Sequence, residues 1–329
     1  MNPKKTKSGK YHVSAYLGTV NGKKIFKSIT ADTRRECIMK ATEYINNNPV
    51  DGSDLTVGQA VRKYIESKEK ILSPSTINGY YKILRYHYPP IAHKRLEDFG
   101  NYDFQAFIGS IDASPKTVRN VYGLLRSALR MFSNRNYNIT LPEKTEPKRP
   151  VATEEDIRQL LSAADPELKK AIILGSCSMR RGEVAAVKYS DIEGTSIFVH
   201  ADIVKDRFNN YVYKDSAKTP TSTRLIEVSE SVIQALGEGE GYIVQLRNPD
   251  IITKRFTRLR DSLGINVSFH SLRRFYASVS HALGIPNEYI MKQGGWKNES
   301  VMIQSYRQTL STREKEYSEK IAQTVGNLL

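Results

Sequence analysis

The chain has 329 residues, and its 50 Lys or Arg against 35 Asp or Glu give a formal net charge of +15. The length predicts two or three domains, and an apolar share of 39% is enough to build cores, which excludes a wholly disordered chain. Two cysteines exclude a disulfide scaffold and a Cys-rich zinc site. Because no apolar run reaches the roughly 18 residues of a membrane span and no apolar signal segment begins the chain, we expect a cytoplasmic protein without membrane association.

The excess positive charge is concentrated in the first half of the chain. Residues 1–50 hold ten basic and three acidic residues, and residues 51–150 hold sixteen and ten, whereas residues 151–329 are nearly balanced at twenty-four and twenty-two. The basic residues are spread among Tyr and Phe rather than gathered in one tail. This pattern favours an extended contact with a nucleic acid over a basic surface that only aids solubility.

The first block has the pattern of a small sheet followed by a helix. Apolar and polar residues alternate over Tyr11–Leu17, which predicts a strand, and Asn21-Gly22 predicts a tight hairpin turn. The segment Lys24–Ile29 supplies the returning strand. Thr33 can cap a helix that runs to about Asn46.

The second block, residues 53–138, has the pattern of four or five short helices. An apolar face recurs between Val57 and Ile65, Ser73-Pro74 begins the next helix, and a short helix is expected near Tyr102–Ile111. The last helix begins near Ser114 and carries basic residues besides its apolar stripe. Such helices could clamp a duplex, and a plain helical bundle with solvated charges is an equally good interpretation of this segment alone.

Residues 139–152 contain three prolines and alternating charges, which predicts a linker. The third block, residues 153–329, begins with a helix at Thr153 and continues with an apolar helix. Strands are expected at Ile197–His200 and Asn210–Lys214, with Thr223–Val228 pairing with them, and helices resume from Val232.

Several residues of the third block are candidates for chemistry, although each is weak alone. A helical Arg beside a Glu is usually a surface ion pair, a turn Lys is usually solvent-exposed, and a single Trp is more often a core anchor than a catalytic group. The spacing of His and Arg at i and i+3 places both on one helix face but is common by chance. The candidates are Arg180, Lys218, His270, Arg273, Trp296 and Tyr306.

Taken in chain order, these residues resemble the tyrosine recombinase (phage integrase) family. The run Cys177–Glu183 is similar to the family's first arginine motif, with Ser178 in place of the usual Gly. His270–Arg273 matches the H-x-L-R box. Gly294-Gly295-Trp296 followed by Tyr306 is similar to the L-G-H box and its tyrosine, with Trp296 replacing the usual second His.

The resemblance implies a mechanism for DNA cleavage. Tyr306 would be the nucleophile, forming a 3′-phosphotyrosyl intermediate and a free 5′-hydroxyl, and Lys218 would protonate the leaving group. Arg180 and Arg273 would bind the charged phosphate, to which His270 and Trp296 would donate hydrogen bonds. Glu183 would support the site. No cofactor and no metal are expected, since the chain has no phosphate-binding G-x-x-x-x-G-K-[ST] loop and no carboxylate cluster for two metals.

The resemblance also implies an α+β multidomain protein. Residues 1–50 would be an arm-type DNA-binding domain with a three-stranded sheet and a helix, and residues 53–138 a helical core-binding domain. After the linker at 139–152, residues 153–329 would be a mainly α catalytic domain with a small antiparallel sheet and a C-terminal tail. The candidate DNA-binding residues are Lys10, Lys24, Lys27, Arg126 and Arg130.

The expected function is integration and excision of a mobile element, such as a viral genome, by site-specific strand exchange. Expected partners are double-stranded DNA with core and arm sites, further copies of the chain in a synaptic tetramer, and accessory DNA-bending or excisionase proteins. Such a protein would be associated with the nucleoid of a bacterial or phage-infected cell. The alternatives are a resolvase or topoisomerase-like enzyme, and a non-catalytic DNA-binding regulator on the same scaffold.

Overall fold

The computed structural model describes residues 1–20, 23–47, 55–145, 150–215 and 223–303. The chain divides into two compact units. The first comprises Met1–Glu146 with Asp206–Asn209, and the second comprises Pro147–Lys205 with Asn210–Leu329. The division falls inside the predicted linker. Among the helices of the described ranges, none is long and apolar enough to cross a membrane.

The first unit begins with an antiparallel sheet covered on one side by a helix. The strands follow the order β1-β2-β3, and their bounds are β1 (Lys4–Lys5), β2 (Tyr11–Val20) and β3 (Lys23–Ala31), followed by α1 (Arg34–Asn47). Val13 and Ala15 on one face of the sheet pack with Cys37 and Ala41 of α1. Val20 pairs with Lys23, and the predicted turn at residues 21–22 lies outside the described residues.

The opposite face of this sheet carries polar and aromatic side chains. His12 and Ser28 are joined by a hydrogen bond of 2.7 Å between Nε2 and Oγ, and the rings of Tyr16 and Phe26 lie 5.3 Å apart. Both rings are about half exposed. The two neighbouring rings form a small exposed aromatic patch, so this face is a candidate contact surface.

Four helices form the rest of the first unit, as the apolar periodicity predicts. Their bounds are α2 (Val57–Lys68), α3 (Pro74–Tyr86), α4 (Asn101–Gly109) and α5 (Pro115–Phe132). Thr56, Ser73 and Ser114 cap α2, α3 and α5 by accepting backbone hydrogen bonds. On α5, Leu125 and Leu129 are buried in the shared core.

Part of the predicted linker packs against these helices. Ile139 and Leu141 lie against the helical core, and the backbone carbonyl of Pro142 accepts a 2.7 Å hydrogen bond from Arg119. Residues 139–145 therefore belong to the first unit, because the apolar side chains that precede Pro142 pack against its helical core.

The second unit combines seven helices with two small antiparallel sheets in the part of the chain that is described. The helices are α6 (Glu154–Ala163), α7 (Pro166–Ser176), α8 (Arg181–Ala186), α9 (Glu230–Leu236), α10 (Pro249–Ser262), α11 (Phe269–Ala282) and α12 (Asn287–Gly294). The strands are β4 (Ile192–Glu193), β5 (Ser196–Val199), β6 (Ala201–Lys205), β7 (Tyr211–Asp215) and β8 (Arg224–Glu227). The predicted α+β class is confirmed.

The predicted strand pairing is wrong in one respect. The strand β8 pairs with β5, as expected, but β7 pairs with β6 in a separate hairpin. The strand β6, in which Ala201 and Ile203 are buried, was not predicted from the sequence. With this partner available, β7 completes its hydrogen bonds without joining the β4-β5-β8 sheet.

Tight packing of α7 against α11 holds the two arginine motifs near each other. The Cα of Gly175 approaches Phe269 and Leu272 so closely that a methyl group there would lie 3.0 Å from both side chains. Leu272 is fully buried, and the ring of Phe269 meets that of Phe256 edge-on at 5.4 Å. The middle of the H-x-L-R box is therefore a core anchor that fixes the orientation of its neighbours.

Candidate active site

The turn between α7 and α8 presents Arg180. Ser178 adopts φ = 75°, a left-handed conformation that glycine adopts at no steric cost and other residues rarely do. This explains why the resembling motif usually has Gly at this position. The Ser178 side chain is buried, and its Oγ lies 3.4 Å from the carbonyl oxygen of Gln293, to which it donates a hydrogen bond.

Arg180 is held by two acceptors. Its Nη1 donates to Oε1 of Glu183 at 2.6 Å, and its Nη2 donates to the carbonyl oxygen of Gly295 at 2.7 Å. The backbone N–H of Arg180 also donates to Oε2 of Glu183 at 2.7 Å, so the same carboxylate caps α8. The guanidinium is held by these acceptors while the Arg180 side chain as a whole is 41% exposed, so a ligand can reach it.

Glu183 is buried and also binds a second arginine. Arg224 of β8 donates to both carboxylate oxygens of Glu183, at 3.1 and 2.9 Å. Burial alone would raise the pKa of Glu183, but the hydrogen bonds and charge of Arg224, with the charge of Arg180, lower it to about 2. Glu183 is therefore ionised at any physiological pH.

Arg273 lies deeper in the same cluster. Its Nη1 donates to the carbonyl oxygen of Ser178, and its guanidinium carbon lies 3.9 Å from the centre of the Trp296 ring. Burial, with the positive charges of Arg180 and Arg224, lowers the pKa of Arg273 to about 8. An arginine destabilised in this way gains from any anion that enters the site.

The structure brings four of the predicted residues into one contact network: Arg180, Glu183, Arg273 and Trp296. His270 lies in the first turn of α11, one helical turn before Arg273, and is exposed. It lines an open depression of about 370 Å³ together with Arg260 and Arg274. Lys218 and Tyr306 lie outside the described residues.

The predicted DNA-binding residues lie in the first unit. Lys10 pairs with Asp32 at 3.3 Å, and Lys27 lies 5.5 Å from the ring centre of Tyr44 on the helix side of the sheet. Lys24 belongs to β3, and its side chain is outside the described part of the chain. Arg126 and Arg130 are both exposed, one turn apart on α5.

Two site residues were missed in the sequence analysis. On β8, Leu225 is exposed, whereas Arg224 and Ile226 lie on the buried face of the strand. The alternation of the strand therefore places an arginine on a buried face, where it needs a partner of opposite charge. Asp202 of β6 lies against Gly182, the second residue of α8. Its burial, followed by the nearby charge of Glu183, raises the pKa of Asp202 to about 6.

Comparison with known proteins decides the family. Residues 150–313 match the phage integrase family. This part of the chain belongs to that family, the tyrosine recombinases, which cleave and rejoin DNA. No curated protein matches the sequence.

Solved integrase structures share the fold of this recombinase. The Tn1549 transposon integrase (residues 82–397, in complex with a circular-intermediate DNA) aligns with a TM-score of 0.64 at 16% identity, over 77% of this chain and 95% of that one. A lambda integrase tetramer bound to a Holliday junction aligns with a TM-score of 0.58 at 19% identity, over 92% and 94%. At these identities the likeness is one of fold.

We predict that Gly294→Ala displaces Trp296. A methyl group on Gly294 would overlap the indole of Trp296, so the ring must leave its place over Arg273. Trp296 is the only tryptophan, and its fluorescence emission therefore reports this move directly. We expect a shifted emission maximum and at least about a tenfold loss of DNA cleavage.

The matched control is Gly79→Ala in α3, where no atom lies within 4 Å of the added methyl group. Its emission and cleavage should equal those of the unaltered protein. A Gly294→Ala variant with unchanged emission would contradict the close approach of Gly294 and Trp296.

Proposed function

We propose that the protein is a site-specific DNA recombinase that integrates and excises a mobile element. The observation that carries this proposal is the pair of arginines, Arg180 and Arg273, held around one small volume by Glu183, Gly295 and Trp296. Two fixed guanidinium groups with one compensating carboxylate match a phosphodiester, whose negative charge increases in the transition state.

The proposed reaction is phosphoryl transfer to a tyrosine. The Oη of Tyr306 attacks the scissile phosphorus as the bond from phosphorus to the 5′ oxygen breaks, which leaves a 3′-phosphotyrosyl bond and a 5′-hydroxyl. The proton lost by the tyrosine passes to His270 or to solvent, and Lys218 donates a proton to the departing 5′ oxygen. Religation is the reverse sequence on a new strand, so the energy of the broken bond is retained in the phosphotyrosine.

The arginines supply the electrostatic part of this mechanism. In the absence of a ligand, Arg273 is buried among cations, which is costly, and a bound phosphate supplies the counter-charge. The stabilisation grows as the phosphorane forms, because the non-bridging oxygens then carry more charge than in the ground state. Because Glu183, Gly295 and Ser178 hold the two guanidinium groups by hydrogen bonds, these groups need little reorganisation as the charge develops.

A nicked duplex that loses its 5′-leaving strand tests the enzyme directly. The unaltered protein should accumulate a covalent protein–DNA adduct, because the released strand cannot attack the phosphotyrosine. Tyr306→Phe removes only the nucleophilic oxygen and should abolish the adduct while DNA affinity stays within about twofold. The readout is a denaturing gel alongside a binding titration.

The same assay separates the enzyme from a non-catalytic DNA-binding regulator. The presence of Arg180, Lys218, His270, Arg273 and Tyr306 in one chain favours the enzyme. If the unaltered protein binds its DNA site tightly and forms no adduct on it, the regulator is the better account. An adduct that persists in Tyr306→Phe would assign the nucleophile to another residue.

The first unit is proposed to hold DNA in two modules. Residues 53–138 contact the core site, with Arg126 and Arg130 on an exposed face of α5, and residues 1–50 contact a separate arm site. The solvent-facing side of the small sheet, which includes Lys4, His12 and Ser28, supports the second assignment. An integrase of a mobile element needs both contacts, and recombination by this chain is proposed to proceed in a synaptic tetramer assisted by accessory DNA-bending proteins.

Removal of residues 1–50 tests the arm assignment. Each contact of a lysine or arginine with a DNA phosphate that is lost reduces the slope of log K against the logarithm of salt concentration by about 0.9. We expect weaker binding and a smaller salt slope on arm-site DNA, measured by fluorescence anisotropy at several salt concentrations. Core-site DNA serves as the internal control and should show little change, whereas an unchanged slope on arm-site DNA would refute a DNA-binding role for this block.

A further inference from the structure

A third arginine, which is buried, belongs to the site but to none of its sequence motifs. Arg224 lies on β8 with only 4% of its side chain exposed. Besides its two hydrogen bonds to Glu183, its Nε donates to the carbonyl oxygen of Gln293 at 2.8 Å. The described hydrogen bonds of this guanidinium therefore join β8 to Glu183 and to the end of α12.

Arg224 joins the segments that hold Arg180 in place. Oε1 of Glu183 accepts hydrogen bonds from both arginines, at 2.6 Å from Arg180 and 3.1 Å from Arg224. The other acceptor of Arg180 is the carbonyl of Gly295, whose Cα packs against Arg224 so closely that a methyl group there would lie 3.1 Å from its Cδ. Gly295 has φ = 63° and ends α12, one residue before Trp296.

We propose that Arg224 is a positioning residue for DNA cleavage, acting through Glu183 and the Gly295 turn on the guanidinium of Arg180. It keeps the Glu183 carboxylate ionised and oriented, and it fixes the turn that presents Trp296. This proposal rests on the proposed recombinase function, since cleavage is what the position of Arg180 serves.

The charges around Glu183 determine how the loss of Arg224 would act. The carboxylate faces four charged groups, which are Arg180 in the turn before α8, Arg224 on β8, Asp202 on β6 and Arg273 on α11. Without Arg224, burial and the negative charge of Asp202 both raise the pKa of Glu183. A protonated Glu183 is a weaker acceptor for Arg180, so cleavage should become pH-dependent.

The test is single-turnover cleavage of the nicked duplex between pH 5 and 9 by the full chain. In Arg224→Met we expect DNA affinity within about twofold of the unaltered protein and a cleavage rate at least about tenfold lower at pH 7, with recovery at alkaline pH. The acidic limb of the rate profile should move upward by at least about one pH unit. Arg224→Lys, which keeps the charge but loses the fork of donors, should restore part of the rate.

Second-site variants identify the titrating group. The upward shift of the acidic limb should disappear in the double variant Glu183→Gln/Arg224→Met, which lacks the Glu183 carboxyl. It should persist in Asp202→Asn/Arg224→Met, which keeps that carboxyl. The control for loss of an arginine–carboxylate pair is Arg255→Met, whose partner Asp165 lies 3.4 Å away at the surface. It should leave the rate profile unchanged.

A measurement without catalysis keeps the proposal independent of the recombinase assignment. In the unaltered protein the pKa of Glu183 is below its unfolded value, so its ionisation adds stability above about pH 4.5 that is lost as the pH falls toward 2. In Arg224→Met we expect the pKa of Glu183 to lie above its unfolded value. Ionisation of Glu183 then costs folding free energy, so stability should fall as the pH rises. The difference in free energy of unfolding between the two proteins should therefore grow from pH 4 to 8, and much less so in the Glu183→Gln background.

These outcomes separate failure of the inference from failure of the proposed function. If the unaltered chain forms no adduct, the function fails while the unfolding data still test the Arg224–Glu183 coupling. A different result would overturn the proposal. The adduct would form and Arg224→Met would lower the cleavage rate equally at every pH, with a pH-independent difference in the free energy of unfolding. Arg224 would then be a purely structural residue.

Discussion

The buried carboxylate of Glu183, shared by Arg180 and Arg224, is the interaction on which the arrangement of the site depends. A carboxylate out of water is stable only with close cationic partners, and removal of one partner of such a pair costs about 3–5 kcal/mol. This requirement draws α8, β8 and the turn after α12 together. The two turns with positive φ angles, at Ser178 and Gly295, each place a carbonyl oxygen against an arginine of the cluster, Arg273 and Arg180 respectively.

Positive charge exceeds negative charge in this network. The guanidinium groups of Arg180, Arg224 and Arg273 lie around the carboxylates of Glu183 and Asp202, and burial lowers the pKa of Arg273 to about 8. On the proposed function, this excess is costly without an anion and favourable when a phosphate is bound. Folding free energy is thus exchanged for affinity toward a charged ligand, which is a common arrangement in preorganised active sites. The nearly neutral second half of the chain is consistent with this, because its chemistry needs a few cations at one point rather than a high net charge.

Much of this arrangement could be predicted from the sequence, and the exceptions have physical reasons. Helix caps and apolar periodicity predicted α2 to α5, and the resemblance to tyrosine recombinases implied that Arg180, Glu183, Arg273 and Trp296 share one site. The strand β6 was missed because its alternation lasts only five residues and follows His200 without a turn signal. The pairing error for β7 followed from that omission.

Arg224 and Asp202 were missed for a different reason. Their roles depend on contacts between residues distant in sequence: Arg224 meets Glu183 across 41 positions, and Asp202 meets Gly182 only because β6 packs on α8. No pattern among neighbouring residues of the sequence identifies the partner in such a pair. The inward position of Arg224 on β8 was a usable signal, since a charge on a buried strand face requires a partner.

The central claim is that the arginine cluster neutralises the charge of one DNA phosphate during cleavage. The most direct measurement replaces the scissile phosphate with a methylphosphonate, which removes one negative charge. The single-turnover cleavage rates of the unaltered protein and of Arg273→Ala are then compared on the phosphate and on the methylphosphonate substrate. On the phosphate, Arg273→Ala should lose about 100-fold or more, and on the neutral substrate the loss should shrink by at least about tenfold. An equal loss on both substrates would contradict the account, because it would mean that Arg273 serves the fold rather than the charge of the phosphate.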